Sequence, residues 1–146
     1  MTMNLIPGVE STGSALSAEK IRLEVIAQNI ANSNTTQDAS GQVYQRKEVV
    51  FEEFIKTPER RVPGYVDENL YQGVRVTDVY NDQTPGRMIY NPGHPHANKD
   101  GMVEMPNVDV SREMIDLISA SRAYEANLTV VKTSRRMAQQ AMAIGK

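Results

Sequence analysis

The feature that most constrains this chain is the run from Val110 to Ile144, which holds neither proline nor glycine and can therefore form one unbroken helix. At about 1.5 Å per residue such a helix reaches about 52 Å. Within it Val110, Met114, Leu117, Ser121, Tyr124, Leu128, Val131, Arg135, Ala138 and Met142 recur at alternating spacings of four and three. That is the heptad pattern of a helix seam, which buries its apolar row against a partner helix. Asp109 stands where its side chain can accept from the free amides of the first turn, and Gly145 lies just past the last apolar residue. A second, weaker row comprises Ala123, Ala126, Val130, Met137, Ala141 and Ile144. Two rows imply contacts on more than one side, whereas an ordinary core helix carries one apolar face.

The other end of the chain supplies a partner. Ser14 to Asn32 reads as a helix with Leu16, Leu23, Ile26, Ala27 and Ile30 on one side and Ala18, Ile21 and Val25 on the opposite side. Pro7, Gly8 and Gly13 make the preceding stretch a poor continuous helix. The two helices are expected to form an antiparallel, coiled-coil-like hairpin with Asn32 near Val110 and Ser14 near Leu128. This leaves roughly half of the longer helix for other partners, judged from the rise per residue. An arginine at a seam position, as at Arg135, requires a carboxylate or carbonyl to meet it. Asn29, Asn32 and Asn34 are expected to end the first helix and hydrogen-bond the turn beyond it.

Between the helices the composition changes. Residues 36–107 hold six of the seven prolines and most of the glycines, which breaks the chain into short pieces. Alternating or apolar runs near Val43 to Phe51, Gly73 to Tyr80 and Arg87 to Tyr90 predict strands, separated by turns such as Thr84-Pro85-Gly86 and Asn91-Pro92-Gly93. The fold class is thus mainly α with a small β-rich insert, organised as residues 1–35, 36–107 and 108–146. Residues 37–109 carry 8 basic and 12 acidic side chains, whereas 111–146 carry 6 and 3, so insert and long helix differ in sign.

Little in the chain suggests chemistry. His94 and His96 sit two apart in a proline-rich loop without standard zinc spacing, and there is no cysteine to complete a site. No nucleophile elbow, phosphate-cradling loop or zincin motif occurs, so no catalytic, cofactor-binding or metal residues are assigned, and no small-molecule substrate is expected. The basic residues of the long helix are spread out with no aromatics interleaved, which argues against nucleic acid. The first twenty residues lack a basic n-region and a long apolar core, so a cleaved secretory signal is not expected.

Ser17-Ala18, Val25-Ile26-Ala27-Gln28-Asn29-Ile30-Ala31-Asn32 and Thr35 resemble the N-terminal signature of bacterial flagellar axial proteins. His94-Pro95, Ala97, Asp100-Gly101, Val103, Pro106-Asn107-Val108-Asp109, Glu113-Met114, Leu117-Ile118, Ala120 and Arg122-Ala123-Tyr124-Glu125-Ala126-Asn127 resemble the basal-body rod proteins of that family more specifically. The resemblance covers essentially the whole chain, loosely between Gln37 and Gln83. It implies a structural subunit of the proximal rod that passes torque from motor to hook, not an enzyme. It further implies self-association, neighbours among the rod proteins FlgB, FlgF and FlgG, and FliE and the membrane ring at the base. Passage through the flagellar type III export apparatus and a final location in the periplasmic part of the basal body are implied as well. The readings nearest to this are another rod- or hook-type axial protein and a self-contained helical-hairpin adaptor. The expected assembly surface comprises Leu16, Ala18, Ile21, Leu23, Val25, Ile26, Ile30 and Asn32 of the first helix. From the second it takes Met114, Leu117, Tyr124, Leu128, Val130, Val131, Arg135, Met137 and Met142.

Overall fold

A computed structural model describes residues 7–37, 41–56 and 71–144. Gly145, expected to follow the long helix, lies outside the described residues. The element order is α1 (Pro7–Ala31), β1 (Lys47–Lys56), β2 (Tyr71–Asn81), β3 (Met88–Tyr90), β4 (Met102–Glu104) and α2 (Val110–Ile144).

α2 has the predicted extent of 35 residues. Asp109 caps it as expected, its Oδ1 accepting from the amides of Ser111 at 3.0 Å and Arg112 at 3.5 Å. α1 begins earlier than expected, at Pro7 rather than Ser14. A proline at the first helical position gives up only an N–H that would lack a helix partner anyway. Gly8 and Gly13 each cost the helix about 1 kcal/mol relative to alanine. Thr12 and Ser17 donate their hydroxyls to the carbonyls of Gly8 and Gly13, at 2.6 and 3.1 Å. Packing outweighs the propensity penalty, because α1 is the central layer of the molecule.

One side of α1 packs along α2 and the other on the β1–β2 hairpin. Among the described elements, α2 packs on none but α1. The two-sided apolarity of the first helix is therefore met within the chain. α1 comes close to the hairpin at Gly73, where an added Cβ would lie 2.8 Å from both Ser14 Oγ and the Phe54 ring. Ser14 Oγ there accepts from the Val74 amide at 3.1 Å.

β1 and β2 pair antiparallel from Lys47 opposite Asn81 to Lys56 opposite Tyr71. A bulge between Val50 and Phe51 leaves Thr77 with no opposite residue. β1 starts later and runs further than the predicted Val43 to Phe51. β3 and β4 form a second, separate ribbon in which Met88 faces Glu104 and Tyr90 faces Met102. β4 was not anticipated, since three residues carry no readable period. Its Val103 is buried, and the loop before it is closed by Asn98, whose Oδ1 accepts from the amides of Asp100 and Met102 at 3.0 and 2.9 Å.

The apolar core is small: Ala18, Val25, Ile26, Val103 and Ala120 are the buried hydrophobic residues among those described. Where β3 begins, the backbone of Gly86 passes so close to the Met105 carbonyl that a Cβ would stand 1.8 Å from its oxygen. Gly86→Ala is expected to force these segments apart and destabilise the protein by roughly 1–3 kcal/mol, the usual range for overpacking. Urea denaturation of the variant beside the parent checks this.

Candidate assembly interface

The row of α2 that faces inward coincides only in part with the one read from apolar spacing. Glu113, Leu117, Ala120, Tyr124, Asn127, Val131, Ser134 and Ala138 are all buried or half-buried, again at spacings of four and three. Leu117, Tyr124, Val131 and Ala138 belong to the expected seam, whose Ser121 and Leu128 are half-buried too; its Val110, Met114, Arg135 and Met142 are exposed. The helix is rotated so that small and polar side chains take the alternate seam positions. Their size lets α1 come close, and a polar joint at one end draws Glu113 inward. Arg135 and Arg136 face solvent, so their charges need no buried partner.

The joint is built around Asn29. It is 1% exposed and fills all four of its hydrogen-bonding positions. Its Nδ2 donates to the Lys47 carbonyl at 2.9 Å and to Glu113 Oε2 at 3.0 Å. Its Oδ1 accepts from the Lys47 amide at 2.9 Å and from the Tyr44 hydroxyl at 3.0 Å. One side chain thereby ties α1 to the start of β1 and to the first turn of α2. Asn29 is thus a core residue and not a helix terminator. Asn32 does hold the turn, its Nδ2 donating to the Gln28 carbonyl and its Oδ1 accepting from Thr35.

Glu113, also 1% exposed, is paired on its other oxygen by Arg46 Nε at 2.6 Å. Arg46 further meets Glu48 and, at 4.0 Å, Asp116. Burial works against the Arg46 charge, but hydrogen bonds to Glu113 and Glu48 outweigh it and raise its pKa. Burial, then the Glu113 charge, raises the Tyr44 pKa, so the phenol stays a donor. Glu48 is held below the ordinary carboxylate range by the hydrogen bond from Tyr80 and then by Arg46. Asp82 is lowered by the hydroxyl and amide of Thr84. Asn107 closes the base of the hairpin, its Oδ1 accepting from the Arg46 amide at 2.7 Å and its Nδ2 donating to the Asp82 carbonyl at 3.0 Å.

The expected interface residues fall into three groups. Ala18, Val25 and Ile26 are buried inside the chain; Leu16, Leu23, Ile30, Asn32, Leu117, Tyr124, Leu128 and Val131 are half-buried; and Ile21, Met114, Val130, Arg135, Met137 and Met142 are exposed. The second apolar row of α2 stays on the surface, with Val130 50%, Met137 63% and Ile144 87% exposed at seven-residue intervals. On the other flank Lys132, Arg135 and Arg136 form an exposed cationic row. Asn29, Glu113 and Arg46 were missed as a site. Their signal was phase: Asn29 continues the spacing of Ala18 and Val25, and Glu113 stands one heptad before Ala120.

The histidine loop is structural. His94 Nδ1 accepts from the His96 amide at 3.1 Å, and His96 Nδ1 shares a hydrogen bond with Thr36 Oγ1 at 2.8 Å. This joins the exit of α1 to the segment before β4. Among the described residues no three potential metal ligands cluster, and no helix is long and apolar enough to cross a membrane.

Residues 10–37 match a family model described as flagella basal body rod protein, and residues 99–144 one described as flagellar basal body rod FlgEFG protein C-terminal. The two matches include Asn29 and Glu113 respectively. The chain is 39% identical over 149 residues to the flagellar basal-body rod protein FlgC of Borreliella burgdorferi, covering 97% of this chain and 98% of the relative. It is 39% identical over 144 residues to FlgC of Yersinia enterocolitica and 34% over 152 residues to FlgC of Bacillus subtilis. Each of these two covers 99% of this chain and 100% of the relative.

Two outcomes test the joint. Glu113→Ala strips Arg46 and Asn29 of a buried partner and is expected to destabilise the protein by about 3–5 kcal/mol, read from urea unfolding at neutral pH. The lowered pKa values of Glu48 and Asp82 contribute stability above the ordinary carboxylate range, which is lost as pH falls through their lower folded values. The urea midpoint should therefore drop between pH 6 and pH 3, and Glu48→Gln should shrink that drop.

Proposed function

The chain belongs to the FlgC family of flagellar basal-body rod proteins and is a structural subunit of that rod rather than an enzyme, and from this premise we propose how it assembles. Of the terminal regions 1–35 and 108–146, α1 and α2 form an antiparallel coiled-coil-like hairpin whose surface packs against copies of this chain and other rod proteins. The β1–β2 hairpin of the insert, residues 36–107, rides on the side of α1 away from α2. The observation that carries this reading is the exposed row Val130, Met137 and Ile144 on the side of α2 that α1 leaves bare.

Water is a poor partner for such a row. Each of these side chains would gain about 1.5–3 kcal/mol on full burial, and soluble monomers rarely leave large contiguous apolar patches on a regular element. α1 cannot supply the burial, because it lies on the inward row and its 25 residues span about 37 Å of a helix about 52 Å long at the common rise. A neighbouring subunit can. The apolar and cationic rows flank the inward row on opposite sides, so two neighbours would meet chemically different faces. Such head-to-tail contacts build a ring or a helical stack.

In this reading FlgB, FlgF, FlgG and FliE are the neighbours along the proximal rod, with the membrane ring at its base. The chain reaches the periplasm through the flagellar export apparatus without signal cleavage. Torque passes from motor to hook through many close-packed helix contacts, since packed interiors are weakly compressible.

Met137→Asp places a charge on the exposed row without touching the α1 contact. The isolated variant should keep the circular dichroism and melting temperature of the parent, while its incorporation into purified basal bodies and swarming in a complemented null strain fall to background. Full incorporation with normal swarming would overturn the proposed interface.

A further inference from the structure

The joint has a feature that stability alone does not require. Along both helices the covered positions repeat: Leu16, Leu23 and Ile30 of α1 are half-buried one heptad apart, as are Leu117, Tyr124, Val131 and Ala138 of α2, and Ala120 stands one heptad beyond Glu113. A slide of one helix along the other by seven residues lays a small or apolar position over another with little change in apolar burial. Such a slide moves the helices by about 10 Å and returns the same faces to each other. What it cannot reproduce is the pairing of Asn29 with Glu113. In one direction Asn29 would meet the Ala120 methyl and leave both polar groups buried without each other.

We propose that the buried Asn29, Glu113 and Arg46 constellation is a register lock, fixing which heptad of α1 lies on which heptad of α2. Apolar contacts hold the hairpin together and the polar constellation selects one alignment. Asn29 is suited to this because it is also bonded to both the amide and the carbonyl of Lys47, so α1 cannot slide on the hairpin either. Arg46 reads the same alignment from the insert side, since its Nε reaches Glu113 while its backbone amide is fixed to Asn107. A single polar seam residue sets register and partner number in simple coiled coils at a cost in stability, and a buried ion pair often adds little stability over apolar residues of similar volume. The inference rests on the hairpin reading of the rod subunit for its purpose, because a subunit under axial and torsional load must not slip. Its test concerns the isolated chain alone.

The sequence contains no cysteine, so single labelling sites can be introduced cleanly. Ala27→Cys and Ser119→Cys place spin labels on exposed positions of the two helices. Double electron–electron resonance then reports their separation in the parent, in Glu113→Gln, and in the triple variant Asn29→Leu/Arg46→Met/Glu113→Leu, which removes the whole constellation, including the hold of Asn29 on Lys47, and fills its volume. The parent should give one narrow distance, and so should Glu113→Gln, whose single amide oxygen can keep the Asn29 bond while the one to Arg46 is lost. The triple variant should stay folded with the helical signal of the parent yet show a second distance reflecting an axial shift of about 10 Å, seven residues of helix. One distance identical to the parent's would overturn the lock. So would unfolding of the triple variant, because the proposal requires apolar contacts alone to hold the hairpin. A failure of either kind leaves the assembly surface on the outer row of α2 untouched.

Discussion

Everything in this structure depends on one asparagine having somewhere to put all of its hydrogen bonds. Asn29 lies in the central helix, and its four bonds go to β1, to the segment before β1 and to α2. A buried amide with any of those missing would cost about 1–3 kcal/mol. Complete satisfaction turns that liability into the point where three elements meet. Glu113 and Arg46 extend the network, and Asn107 anchors the base of the hairpin beside it.

Around this joint the side chains are distributed in an unusual order. Small residues, Ala18 on α1 and Ala120 on α2, are among the few buried side chains, while larger ones such as Met114, Ile115, Met137 and Ile144 face outward. A self-sufficient monomer would place them the other way round, because burying a large apolar side chain returns more than burying an alanine methyl. In the proposed assembly that larger apolar surface is the one neighbouring subunits would cover. The polar joint supplies the orientation that so small a core cannot.

α1 carries more of the architecture than its length suggests. It separates α2 from the hairpin, so the insert communicates with α2 chiefly through α1 and through Arg46. The histidine loop adds a tie at the exit of α1, where Thr36 meets His96. The Pro106 to Asp109 stretch has a mechanical explanation in the same terms. Asn107 closes the hairpin base and Asp109 starts α2, so four consecutive residues place the long helix relative to the insert.

The sequence alone determined the existence and extent of α2, its cap at Asp109, the helical character of the N-terminal region, the β character of the middle and the flagellar kinship. These are local or periodic properties: an uninterrupted run of helix formers, a capping side chain at the right offset, turn residues at fixed spacing. Tertiary structure decided the phase of the seam, the early start of α1, the two ribbons with β4 among them, and the burial of Asn29 and Glu113. Apolar spacing could not reveal that phase, because α2 has two rows that satisfy heptad spacing and the choice between them is made by what packs on them. Glu113 faces inward only because Asn29 and Arg46 are there to receive it, and that meeting of residues far apart in the chain exists in no local stretch of the sequence.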